Sequence, residues 1–89
     1  MGKDPLFDPY HKWLGIPPDE RPLDFYRLLG VPRFESDSEV IASAAGRQMA
    51  HVKSFGKGPQ ADIARKVFNE LAKARTCLLD ASAKAAYDR

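Results

Sequence analysis

Two stretches of the chain repeat apolar residues at helical spacing. In the first, Ile41, Ala44, Ala45, Val52 and Phe55 fall along one stripe, with Gln48 among them. That period predicts a long helix ending near Phe55. Ser36-Asp37-Ser38-Glu39 precedes it as a capping box, in which Ser36 and Glu39 would satisfy each other's free backbone N–H groups. In the second stretch Ile63, Val67, Leu71, Ala74 and Leu78 recur, with Phe68 beside them. This predicts a helix from about Pro59 or Gln60 to Leu79. Gly56-Lys57-Gly58-Pro59 between the two is a loop signal. Two amphipathic helices joined by a short loop make an antiparallel hairpin, and the alanines of the first stripe let the helices approach closely. Val52 and Leu71 are expected between them.

The flanks carry shorter signals. Asp8 suits an N-cap, Pro9 the first helical position and Gly15 the C′ position, around an apolar face of Tyr10, Trp13 and Leu14. Asp24 and Gly30 bracket Phe25 to Leu29 in the same way, with Phe25, Leu28 and Leu29 expected inward, and Val31-Pro32 forbids continuation. Ile16 to Pro22 is expected to be extended, because Pro17, Pro18 and Pro22 bias their neighbours away from the helical region. Asp80 to Ser82 breaks the second long helix, and Ala83 to Tyr87 can add one last turn. No segment alternates with period two, so the fold class is all-α.

Composition narrows the function classes. A chain of 89 residues with 44% hydrophobic and 29% charged residues is one globular domain. One cysteine excludes an internal disulfide, and no apolar run is long enough to span a membrane. A cytoplasmic setting is therefore expected. The net charge of +2 conceals a split. Residues 1–41 hold five basic and eight acidic side chains, whereas residues 42–76 hold seven basic and two acidic ones. The basic residues are Arg47, Lys53, Lys57, Arg65, Lys66, Lys73 and Arg75.

Order and residues together resemble a J-domain, the DnaJ-type co-chaperone module. Phe25-Tyr26-Arg27-Leu28-Leu29-Gly30-Val31 looks like the family's aromatic-rich first helix ending in Leu-Gly-Val. Phe68, Leu71, Ala74 and Leu78-Leu79-Asp80 sit as the inward residues of its third helix do, and Lys84-Ala85-Ala86-Tyr87-Asp88-Arg89 is similar to the close of the fold. The resemblance covers about Asp24 to Arg89 and implies a J-like domain at 24–89. The Pro-rich N-terminal extension at 1–23 is expected to pack on it, because Tyr10, Trp13 and Leu14 would enlarge a small core; left exposed, they would form an adhesive patch. The lead-in Trp13-Leu14-Gly15-Ile16-Pro17-Pro18 resembles that of J-like domains in large multidomain proteins of planctomycete-type bacteria. The chain stops where the resembled fold stops, as a piece of a longer protein would.

One departure decides the expected function. J-domains that activate their chaperone carry His-Pro-Asp at the end of the second helix, and without gaps those positions fall on Lys53, Ser54 and Phe55. His-Pro-Asp occurs nowhere in the chain. Arg75 also stands where the family often has tyrosine. The expectation is a degenerate J-like, non-enzymatic protein-interaction or scaffolding module that does not stimulate a DnaK-type ATPase. Its partner would be a protein, or other domains of a larger parent. Arg47, His51, Lys53, Lys57, Arg65 and Lys66 are the candidate contacts, because the family's second helix presents positive charge to its partner. The alternative is a basic nucleic-acid-binding module. Against it, no aromatic residue is interleaved with the cations to stack bases. A weaker alternative is a co-chaperone working without His-Pro-Asp.

No catalytic residue, metal or cofactor is expected. Cys77 lies beside Leu78 and Leu79, where a free thiol acts as a small hydrophobe. His11, His51 and Cys77 lack zinc spacing. Gly56-Lys57-Gly58-Pro59 lacks the frame of a phosphate-binding loop.

Overall fold

In a computed structural model, which describes residues 7–20 and 23–89, five α-helices follow one another. They are α1 (Pro9–Leu14), α2 (Phe25–Leu29), α3 (Ser38–Lys53), α4 (Ala61–Leu79) and α5 (Ala81–Asp88). No strand occurs among the described residues. The parts of the extension at 1–6 and 21–22 lie outside the described residues.

α3 and α4 form the antiparallel hairpin, and the predicted stripes face each other. Ile41, Ala44, Ala45 and Val52 of α3 are buried, as are Val67, Leu71, Ala74 and Leu78 of α4. Val52 and Leu71 are both fully buried. Ala64 joins them, where the sequence had singled out Ile63, which is only half-buried. The buried alanines on both helices, Ala44, Ala45, Ala64 and Ala74, put little side-chain bulk at their own positions and so favour close packing there.

α2 lies across α4 and touches α3, and α5 returns along α4. The capping signals around α1 and α2 act as expected. Asp8 accepts from the N–H groups of Tyr10 and His11, and Asp24 from that of Arg27 at 2.7 Å. Gly15 (φ 71°) and Gly30 (φ 82°) end their helices in the left-handed region. After Gly30, Val31 N–H returns to Tyr26 O at 3.0 Å.

Several boundaries differ from the expectation, each for a local reason. Ser36 is not the cap of α3. Asp37 is, accepting from Glu39 N–H at 2.9 Å and Val40 N–H at 3.4 Å. A carboxylate gains more than a hydroxyl from the positive end of a helix, so the helix starts one residue later. α3 ends at Lys53, because Ser54 to Gly58 tighten into turns: Phe55 N–H reaches Val52 O and Gly56 N–H reaches Lys53 O. Pro18–Glu20 is a 3-10 turn rather than extended chain, closed by Glu20 N–H to Pro17 O at 3.1 Å. Asp80 stops α4 and also caps α5, so the expected last turn is an eight-residue helix. In α2 the deepest aromatic is Tyr26 at 1% exposure, while Phe25 is half-buried.

Candidate functional site

The end of α3 and the loop after it hold most of the candidate residues. Lys53 is the last helical residue and is exposed. Ser54 follows in helical geometry (φ −62°, ψ −18°), with its N–H bonded to Ala50 O and His51 O. Its hydroxyl donates to His51 O at 2.6 Å. A proline at this place would have no N–H to give. Phe55 turns back toward the bundle. Its ring stacks on Trp13 at 4.4 Å between centroids and 12° between planes. Phe7 also contacts Trp13, in a T-shaped arrangement with centroids 5.4 Å apart. His51 stands edge-on to Phe55 at 5.3 Å.

This stack fixes α1. Trp13 is 8% exposed and belongs to the core, Ile16 is fully buried, and Tyr10 and Leu14 are half-buried. The Tyr10 hydroxyl donates to Glu70 Oε1 of α4 at 2.6 Å. Trp13 therefore packs into the bundle; it is not an exposed adhesive patch. Sequence reasoning identified Trp13 and Phe55 as apolar residues but did not pair them. They are 42 positions apart, and only the return of the chain over the α3–α4 end brings them together.

The cations do not gather into one patch. Lys53 and Arg65 line an open groove of about 350 Å³, with Gly56, Ala61, Ala64 and Phe68. Arg65 also pairs with Asp62 at 3.3 Å. Arg47 lies earlier on α3 and donates to Ser43 Oγ at 2.8 Å. Lys57 is exposed in the loop and Lys66 on the outer side of α4. Arg75 and Lys73 are exposed further along that helix.

A second cluster, which the sequence did not single out, joins α2 to α5. The Tyr26 hydroxyl donates to Asp88 Oδ1 at 2.5 Å, and Lys84 Nζ donates to Asp88 Oδ2 at 3.0 Å. Lys84 also sits 5.6 Å from the Tyr26 ring centre. Tyr87 stacks on Phe25 at 4.6 Å, and its hydroxyl accepts from the Phe25 N–H at 2.8 Å. Burial, then the carboxylate of Asp88, raises the Tyr26 phenol above its ordinary value. The Tyr26 hydroxyl and Lys84 hold Asp88 below its ordinary value. Hydrogen bonds to Asp88 and Tyr26 raise Lys84. Tyr26, Lys84, Tyr87 and Asp88 all lie in the two motifs that carry the family resemblance.

Cys77 is half-buried, with Sγ 3.8 Å from Ala83 O. Among the described residues no group of three or more His, Cys, Asp or Glu could hold a metal ion. No helix among them is long and apolar enough to cross a membrane.

The hairpin with short flanking helices defines an all-α, J-domain-like fold. Comparison with curated proteins agrees. The chain is 39% identical over 67 residues to DnaJ homolog subfamily C member 17 of Rattus norvegicus and of Homo sapiens, a match covering 75% of this chain and 22% and 21% of theirs. It is 38% identical over 66 residues to Chaperone protein DnaJ of Methylorubrum populi, covering 74% of this chain and 17% of that one. The chain thus spans about a fifth of the length of the curated relatives it matches. These similarities support a J-domain-like relationship. No family model and no solved structure matches.

Proposed function

We propose that this chain is a non-enzymatic protein-binding module derived from a J-domain, which does not accelerate ATP hydrolysis by a DnaK-type chaperone. The observation that carries this reading is the Trp13–Phe55 stack. At the positions where the resembled family holds His-Pro-Asp, Lys53 supplies a flexible ammonium in place of an imidazole. Ser54 contributes its hydroxyl and N–H to the helix end. Phe55 has no carboxylate to meet a chaperone arginine, and its ring is taken up by Trp13. The segment that signals in the family is here a contact between the N-terminal helix and the hairpin.

What remains available to a partner is the groove lined by Lys53 and Arg65; Arg47, His51, Lys57 and Lys66 are the other candidate contacts. The partner is a protein or a neighbouring domain of a longer chain. The test is single-turnover ATP hydrolysis by a DnaK-type chaperone from the same organism, with and without excess domain. The expected rate is unchanged. A severalfold acceleration, lost in Lys53→Ala, would overturn the reading.

A further inference from the structure

We infer that the cleft between α1, α2 and α4 is a second binding site, shaped for an apolar residue at the free C-terminus of a peptide. This site is separate from the Lys53–Phe55 loop and stands without it. The cleft has a volume of about 390 Å³ and is lined by Tyr10, Leu23, Phe25, Leu28, Glu70 and Lys73. That volume lies in the range of small-ligand pockets, roughly 300–1,000 Å³.

Its walls are fixed before any ligand arrives. Tyr10 is tied to Glu70 Oε1 at 2.6 Å. Phe25 is stacked on Tyr87, and its backbone N–H is held by the Tyr87 hydroxyl. Leu28 is buried, and Leu23 is half-buried beside it. Walls that are already held lose little freedom when an occupant enters.

The polar groups choose the occupant. Glu70 and Lys73 are three residues apart on α4 and therefore neighbours on the helix surface. They form no salt bridge with each other, and Lys73 pairs with no carboxylate among the described residues. Glu70 accepts the Tyr10 hydroxyl through Oε1, and its carboxylate keeps lone pairs free to accept a further N–H. Lys73 carries a charge with no such partner. A C-terminal residue supplies this combination: its amide N–H for Glu70, its carboxylate for Lys73 and an apolar side chain for Leu23, Phe25 and Leu28. The cleft opens to solvent, which lets the preceding residues lead away.

The test titrates the ¹⁵N-labelled chain with acetyl-glycyl-glycyl-leucine, with its C-terminal amide, and with free leucine. The acid is expected to shift the amide signals of Leu23, Phe25, Leu28, Glu70 and Lys73. The amide form, which lacks the carboxylate, should bind roughly tenfold more weakly, and Lys73→Gln should weaken the acid by a similar factor. Lys73 is exposed, so this variant is expected to keep its fold, and an unchanged circular dichroism spectrum checks that. Equal affinity for acid and amide would overturn the proposal, as would the absence of shifts at these residues. Tighter binding of free leucine than of the peptide acid would overturn it too, by showing a site for the amino acid itself.

Discussion

The α3–α4 hairpin and the clasp formed by α1, α2 and α5 are held by different means. The hairpin is held by repetition: small and branched apolar residues recur along two stripes, and no single pair dominates. The clasp is held by individual pairs of large side chains. Trp13 on Phe55, Phe25 on Tyr87 and the Tyr26–Asp88–Lys84 group each join elements that are far apart in sequence. Periodic packing spreads its stabilisation over many contacts, whereas a clasp of pairs concentrates it at a few. Within the clasp, the α2–α5 pairs lie in the motifs that carry the resemblance, whereas the Trp13–Phe55 stack lies outside them.

That contrast predicts a ranking of effects. Leu71 is fully buried between the long helices, so Leu71→Ala is expected to cost about 2–5 kcal/mol in a denaturant titration. A loss below about 1 kcal/mol would contradict the hairpin packing. Gly30 comes next. Its φ of 82° is a conformation that side chains resist, and an added Cβ would lie 3.2 Å from Gln48 Nε2. Gly30→Ala should cost about 1–2 kcal/mol, mainly from backbone strain, because the end of the Gln48 side chain can move aside.

A smaller effect concerns pH. Asp88 titrates below its ordinary value of 3.8 in the folded chain, so its contribution is fully present above that pH and is lost on acidification through the depressed folded value. Tyr26 and Lys84 titrate above their ordinary values of 10.0 and 10.5. Their contributions are complete below those values and are lost as pH rises through the raised ones. Melting temperature against pH should therefore fall at both ends, in addition to whatever other groups contribute. Tyr26→Phe should soften both limbs, since it removes one titrating group and the hydroxyl that stabilises the Asp88 carboxylate. Unaltered limbs in that variant would show that the α2–α5 group plays no part in the pH dependence.

The same contrast explains what could be read from the sequence. The hairpin stripes, the loop and the caps at Asp8, Asp24, Gly15 and Gly30 follow rules local to a few residues, and they were legible. Asp37 was missed because two capping residues stand side by side at Ser36 and Asp37, and the spacing to Glu39 favoured the wrong one. Tyr26 was passed over because a helix of five residues is too short for periodicity to fix its phase. The Trp13–Phe55 contact and the cleft at Glu70 and Lys73 depend on how the short helices dock, which no local pattern encodes. The missing His-Pro-Asp was plain in the sequence. That Phe55 packs against Trp13 was not.

The proposed function rests on Phe55 being a structural contact with α1. A double-mutant cycle of Trp13→Ala and Phe55→Ala, measured by equilibrium unfolding, tests it most directly. The stack predicts that the two substitutions couple by about 0.5–1.5 kcal/mol, the double variant losing less than the sum of the single ones. Additive losses, within about 0.3 kcal/mol, would mean that Phe55 does not hold α1.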